Sequence, residues 1–238
     1  MKFAIISAGE GSRLAQEGMA LPKPLVRLNG EPMIERLIRL FLRQGAESVA
    51  VIINNESEQT KAFLLHLQQE LPIELIIKST PSSMHSFYEL SSLLGEDKFC
   101  LTTVDTIFQE EEFTRFIDAF QQSDSDGMMA VTDFVDDEKP LYISTDRELR
   151  ITGFHDEPTI DTRYISGGIY CLGPKALQTL QRCMQDGVSR MRNYQRRLIV
   201  DGLNLQAWLF RKIVDVDHVQ DIAKAEDFLK GESCSKTE

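Results

Sequence analysis

The sequence predicts an α/β protein: a mixed, mostly parallel sheet with helices on both faces and a small antiparallel lobe. Three observations carry that expectation. Short apolar runs rich in β-branched residues alternate with longer runs of helical period through the first half of the chain. After Gly127 that alternation gives way to four strand-like runs with no helix between them. A composition of 42% hydrophobic and 26% charged residues is that of a globular protein and excludes collagen-like, disordered and low-complexity classes.

Taken in order, residues 3–7 read as a buried strand, followed by a Gly- and Pro-punctuated loop over 9–32. Residues 33–42 carry apolar side chains at Ile34, Leu37, Ile38, Phe41 and Leu42, one helix face, and Gly45 suits the stop. Strands over 48–53, 74–77 and 99–104 then alternate with helices over 58–71, 83–94 and 111–120. Such regularity implies a parallel sheet covered on both sides. The runs 128–132, 141–144, 149–155 and 164–172 form the antiparallel excursion. Helical patterns return at 175–184, 190–199 and 219–229, around strands over 205–210 and 212–216. With neither a linker nor a repeat, one domain is expected over 1–230, and 231–238 is expected to fray.

Charge narrows the partners. Lys and Arg number 26 against 37 Asp and Glu, a net charge of −11, with no basic stripe interleaved with aromatics, so nucleic acid is not an expected partner. No stretch reaches the ~18 apolar residues that span a bilayer, and Gly9 and Glu10 cut the N-terminal apolar run short of a signal segment. Cys100, Cys171, Cys183 and Cys234 are dispersed with no CxxC pair, which fits reduced thiols. A cytoplasmic protein is expected.

The most informative stretch is Ile6-Ser7-Ala8-Gly9-Glu10-Gly11-Ser12-Arg13-Leu14, followed by Leu21-Pro22-Lys23-Pro24-Leu25. A Gly-rich loop leaving the first strand exposes backbone N–H groups that can hold phosphate oxygens or a base edge. A dinucleotide fingerprint would need a glycine where Leu14 stands, and a Walker loop is absent. What remains is a glycine loop with two fixed cations, Arg13 and Lys23, the lysine aimed by flanking prolines. The run Phe99 to Phe108 ends a buried strand at Asp105, where the carboxyl ends of parallel strands line a ligand crevice and a carboxylate can hold Mg²⁺. In Val214-Asp215-Val216-Asp217, strand alternation puts both aspartates on one face.

Residues Ala8 to Leu14 and Pro22 to Pro24 resemble the signature of the sugar-1-phosphate nucleotidyltransferases, A-G-x-G-x-R-L then P-K-P, and Gly30 to Ile34 resembles the family's entry to its first long helix. The resemblance implies a Rossmann-like fold, with a nucleotide-binding half over about 1–125 and an acceptor-binding half over about 126–230. It implies an NTP and a phosphomonoester as partners, and NMP transfer with pyrophosphate released. Ala8, Gly9, Gly11, Ser12, Arg13 and Lys23 would bind the nucleotide, Arg13 and Lys23 acting catalytically on the leaving pyrophosphate and the α-phosphate. Asp105 and Asp217 would hold Mg²⁺, with Asp215 the rival for the second place. His218 takes a small-residue position and is not an expected ligand. Val104 departs from the family's Gly-Asp pair.

Farther from the signature the resemblance weakens. Ser82, Ser83 and Ser86 stand in the place of the family's base-binding loop, which implies nucleotide roles for them, with helix capping by Ser82 or Ser83 the rival reading. Their Met-His-Ser-Phe-Tyr context looks closer to the choline-phosphate cytidylyltransferase-like branch. Asp156 matches the acid that meets the acceptor, but Glu157 stands where a second phosphate-binding lysine is usual, leaving Arg163, Arg192 or Lys212 to supply the charge. Gly168 matches the strand glycine that lets the backbone approach the acceptor, or marks a bulge. With 21 residues after Asp217, the acetyltransferase extension of some bifunctional relatives is not expected. Activation of phosphocholine with CTP is the alternative; a metal-dependent glycosyltransferase, or a regulatory relative without activity, is more remote.

Overall fold

Lys2–Ser7 forms β1, and alternation along it sends Phe3 and Ile5 into one core cluster and Ala4 and Ile6 into the other. Both faces of the strand are covered, which is why its sequence is continuously apolar. The computed structural model describes residues 1–9, 11–134 and 139–231. Cys234 and the tail expected to fray lie outside them, Gly231 apart.

After β1 the chain makes α1 (Ser12–Gln16), a 3₁₀ turn (Lys23–Leu25) and a ribbon of β2 (Arg27–Leu28) with β3 (Glu31–Pro32). The sequence predicted one loop here. Leu14 alone is buried in α1, so no periodic stripe marked it, whereas Asn29-Gly30 at positive φ is the turn pair that closes a tight hairpin. Then follow α2 (Met33–Arg43), β4 (Val49–Ile53), α3 (Glu58–Leu67), β5 (Ile73–Ile77), α4 (Ser83–Leu94), β6 (Phe99–Thr103), β7 (Thr106–Ile107) and α5 (Glu110–Gln122). Helix α3 ends short of the expected residue 71. Its last residues tighten into turns, and the Gln68 side chain donates to the Ile73 carbonyl at 2.7 Å.

The remaining elements are β8 (Gly127–Thr132), β9 (Tyr142–Thr145), β10 (Ile151–His155), β11 (Thr162–Leu172), α6 (Pro174–Gln185), α7 (Met191–Val200), β12 (Leu205–Leu209), β13 (Val214–Asp215) and α8 (Val219–Lys230). The strand expected over 212–216 shrinks to β13 because its partner, β7, is equally short.

One sheet of nine strands runs β10-β9-β11-β6-β1-β4-β5, with β8 beside β11 and β12 beside β8. Pairs β6–β1, β1–β4 and β4–β5 are parallel, and those involving β11 are antiparallel. The antiparallel strands thus extend the main sheet, and β12 returns parallel to β8. From β1 the chain builds outward through β4 and β5, then crosses back to place β6 on the other side of β1. This reversal is the topological switch point at which α/β sheets open a crevice beyond their strand ends. Helices α2 and α5 cover one face and α4, α6 and α7 the other. Among the described residues no helix is long and apolar enough to cross a membrane. Cys100, Cys171 and Cys183 are buried free thiols.

Candidate active site

Two adjoining clefts open at the switch point, of about 410 Å³ and 290 Å³, and share Ser83, Thr103 and Asp105. The loop after β1 floors the first. Ala8, Gly9, Gly11, Ser12, Lys23, Ser82, Ser83 and Ser86 all line it, so the structure brings these expected nucleotide residues to one hollow, while Arg13 lies outside the lining of both clefts. Gly11 is at φ +62°, and a Cβ there would lie 2.8 Å from Lys23 Cβ. Only a bare backbone lets the loop close onto the lysine stem. Above Gly9, by contrast, a Cβ would meet nothing within 4 Å.

The two expected metal ligands converge on that lysine. Lys23 Nζ lies 2.5 Å from Asp105 Oδ2 and 2.6 Å from Asp217 Oδ1. Arg13 Nη1 holds the other Asp217 oxygen at 2.8 Å. The convergence has a backbone cause. The Val104 N–H donates to Ile6 O, prolonging the β6–β1 pairing up to Asp105. Strand β13 pairs with β7, and the Val216 N–H donates to the Asp105 carbonyl at 3.1 Å, zipping the Asp217 segment onto the turn that carries Asp105. Burial pushes the Asp105 carboxyl up, but the Lys23 ammonium and the Thr103 hydroxyl outweigh it and hold the carboxyl below the ordinary carboxylate range. Burial likewise opposes charge on Lys23, yet the two aspartates raise it above an ordinary lysine.

Asp105 Oδ1 is buried and has no hydrogen-bond partner among the described residues. A carboxylate oxygen left bare beside a second carboxylate is what a hard divalent cation would satisfy. Mg²⁺ is commonly held by one or two carboxylates plus substrate phosphates. The donor set therefore fits Mg²⁺.

Ser82 occupies the N-cap position of α4, but its hydroxyl does not cap. It meets His85 Nδ1 at 2.8 Å and accepts from the Arg190 N–H at 3.4 Å, while Ser86 Oγ and Thr80 Oγ1 pair at 2.6 Å. These hydroxyls fix the loop's shape from within.

The second cleft mixes signs. Lys139, Arg190 and Arg192 line it, as do Asp215 at the end of β13 and Asp217 two residues beyond it, so the two aspartates face the same cleft. Gly168 also lines it, at φ +73° within a register shift of the β11–β8 pairing. The bulge and the bare-backbone readings of Gly168 thus describe one feature. Tyr170 stands beneath; burial is the main cause that pushes its phenol to about 12, and Gln195 Nε2 donates to its oxygen at 3.3 Å.

Asp156 lies outside the lining of both clefts. Its carboxylate takes Arg192 Nη1 at 2.6 Å and Arg196 Nη2 at 2.7 Å, so it touches the second cleft only through Arg192. Glu157 is exposed on the β10–β11 turn, also outside both linings. Of the three cations considered as replacements for the usual lysine, Arg192 reaches the cleft. Arg163 lies over the Tyr164 ring and Lys212 over Phe134. Sequence reasoning missed Arg190 and Gln195 of α7 with its N-cap, Tyr170 of β11 and Lys139, which share no motif. Arg190 sits at φ +72°, an unfavourable conformation for a residue with a Cβ.

A Gly loop at the switch point of a parallel sheet, facing converging carboxylates and cations, marks a ligand crevice of the α/β class. The chain matches the model of the nucleotidyl transferase family over residues 2–232 and belongs to that family. It is 25% identical to the choline-phosphate cytidylyltransferase of Streptococcus pneumoniae, a match covering 98% of this chain and 100% of that one. It is 27% identical to the 2-aminoethylphosphonate cytidylyltransferase of Lancefieldella rimae, over 45% of this chain and only 44% of the relative. The fold matches that of the inositol-1-phosphate CTP transferase from T. maritima with a TM-score of 0.77 at 16% identity, covering 96% of this chain and 97% of the other.

Proposed function

We propose that this chain transfers NMP from an NTP to a small phosphate-bearing acceptor, a sugar-1-phosphate or a comparable phosphomonoester, and releases pyrophosphate. The observation that carries this reading is the Lys23 ammonium between Asp105 and Asp217 at the junction of the two clefts. The first cleft takes the nucleotide and the second the acceptor. An acceptor oxygen attacks the α-phosphorus, a P–O bond forms, and the bond to the bridging oxygen breaks. The acceptor is already an anion, so no Ser, Cys or His nucleophile is needed. The chain must supply alignment and charge cancellation.

Lys23 then serves the α-phosphate, and Arg13, on the outer side of Asp217, the departing pyrophosphate. Asp105 and Asp217 would hold Mg²⁺, which supplies charge neutralisation on phosphate oxygens when bound. Arg190 and Arg192 answer the acceptor's negative group in the place of the absent lysine. Gly168 admits the acceptor close to the strand.

A second reading follows from the mixed lining of the acceptor cleft. Asp215 in one lining with Arg190 and Arg192 suits a zwitterion, a phosphate or phosphonate at one end and an ammonium at the other. Choline phosphate and 2-aminoethylphosphonate, in the names of two relatives, have that form. A pyrophosphate-release screen of the common NTPs against sugar-1-phosphates, phosphocholine and 2-aminoethylphosphonate tests both readings. Turnover with a sugar-1-phosphate supports the first, and turnover confined to zwitterions supports the second. Silence across the panel, with the protein folded and Mg²⁺ present, counts against both.

A further inference from the structure

Beside the clefts lies a contact that the chemistry above does not use. Glu17 caps the C-terminal end of α1, the short helix that carries Arg13, and its N–H donates to the Arg13 carbonyl at 3.0 Å. Its carboxylate reaches across to the start of α8. Oε1 lies 2.5 Å from His218 Nδ1, and Oε2 accepts from the Val219 N–H at 2.7 Å. Against a carboxylate the contacting ring nitrogen must carry a proton. His218 is the neighbour of Asp217 and is itself fixed, because its N–H donates to Asp221 Oδ2 at 2.8 Å. The Asp217 N–H shares that acceptor at 3.3 Å.

The helix bearing Arg13 is therefore tied to the segment bearing Asp217 in two ways. One tie is the Arg13–Asp217 ion pair itself. On the proposed function that tie has to loosen when nucleotide arrives, since Arg13 turns to the pyrophosphate and Asp217 to the metal. Lys23 leaves Asp217 for the α-phosphate at the same time. The second tie, Glu17 to His218 and Val219, involves no group that meets substrate, so it persists through that exchange.

We propose that Glu17 and His218 are positioning residues. They form a latch that holds α1 against the start of α8, so that Arg13 and Asp217 stay at the right separation once their direct pair opens. With five residues and one buried side chain, α1 has little packing of its own to hold it. A bidentate contact to a long helix supplies the missing restraint.

The inference rests on the proposed function, and the test keeps the two separable. Glu17→Ala, His218→Ala and the double variant are compared with wild type and with His218→Asn, whose amide can replace the Nδ1 donor. Amide hydrogen exchange of residues 12–17, without substrate, should quicken in both alanine variants and stay near wild type in His218→Asn. In turnover, KM for the Mg-NTP should rise about five- to tenfold in either alanine variant while KM for the acceptor holds. The double variant should be no worse than the poorer single one, as expected of two partners in one contact. Unchanged exchange in α1, or additive effects in the double variant, would overturn the latch. Quickened exchange in the alanine variants of a protein whose wild type turns over no substrate pair would instead refute the function and leave the contact between α1 and α8 standing. Melting temperatures identify any variant that is merely unfolded, and Glu17→Gln, which keeps the side-chain length and one acceptor, then stands in for Glu17→Ala.

Discussion

The two clefts meet at Asp105 yet are built on different principles. The first is made of backbone and small hydroxyls at the ends of parallel strands, with a single ammonium, Lys23, at its inner end. The second is lined by charged side chains from the start of α7, the segment near Lys139 and the stretch Asp215 to Asp217, around the buried Tyr170 of β11. A backbone cradle accepts phosphates and a base edge with little dependence on side-chain identity, whereas a ring of opposed charges selects by the sign and spacing of the ligand's groups. On the proposed function, the part of the reaction common to all acceptors falls to the sheet ends. On the same reading, the part that distinguishes one acceptor from another falls to replaceable side chains.

The largest expected effect breaks the first cleft. Lys23→Ala should lower kcat/KM by about 10²–10³ or more, the scale of losing a charge aimed at a reacting phosphoryl centre. It should also lower Tm without metal, because the Asp105 carboxylate is left buried beside Asp217 with its cation gone. Mg²⁺ should restore part of that loss. Differential scanning calorimetry with and without Mg²⁺ checks the second point, and a variant with near-normal turnover would remove Lys23 from the mechanism.

The aspartates sharpen the boundary between the clefts. Asp105→Asn and Asp217→Asn should each cost about 10²-fold in kcat and flatten the Mg²⁺ dependence. Asp215→Asn should leave the Mg²⁺ titration unchanged and shift KM for the acceptor. If Asp215→Asn flattened the metal response and Asp217→Asn did not, the rival assignment would replace the present one.

Each cleft also has one glycine in the left-handed region. Gly11→Ala drives a methyl against the Lys23 stem, so both the NTP KM and kcat should worsen. Gly168→Ala places its Cβ 3.1 Å from Thr106 Oγ1, and the backbone strain costs about 1–2 kcal/mol of stability. Its kinetic effect should fall on the acceptor KM alone. Equal effects on both substrates from either variant would mean that the clefts are not separable.

Legibility in the sequence follows the same division. Buried strands and long amphipathic helices were readable because burial on two faces, or on one stripe, leaves a period. The five-residue α1 and the two-residue β2 and β3 are too short to leave one. The first cleft was readable because Ala8, Gly9, Gly11, Ser12 and Lys23 lie within one short stretch whose glycines and prolines have few other uses. The second was largely hidden. Arg190, Tyr170 and Gln195 meet only through the folding of β11 against α7, and nothing in Ser189-Arg190-Met191 announces an arginine at positive φ. Asp156 was found by its place in a pattern, but its side chain faces arginines rather than the cleft.

The smallest expected effects concern Asp156 and Glu157, adjacent acids with different surroundings. Asp156→Ala frees Arg192 from its carboxylate, although Lys139 O still accepts from Arg192 Nη2 at 3.1 Å, so the acceptor KM should rise only about two- to fivefold. Glu157→Lys should change kcat/KM less than twofold for sugar-1-phosphates and zwitterions alike, because an exposed charge outside the lining is screened by water and salt. A marked gain for plain sugar-1-phosphates would show that the turn closes over the acceptor and that Glu157 reads it. The pH dependence separates the pair further. The Arg196 and Arg192 guanidinium groups hold the Asp156 carboxyl below the ordinary carboxylate range. A depressed carboxyl contributes its ion pair in full above its unfolded value, about 3.9, and loses it only as pH falls through the lower folded value. The ratio of acceptor KM between Asp156→Ala and wild type should therefore stay constant from about pH 5 to 8, the titration of the acceptor phosphate being common to both. A ratio that drifted toward unity within that range would show that the Asp156–Arg192 pair does not hold the arginine in the working enzyme.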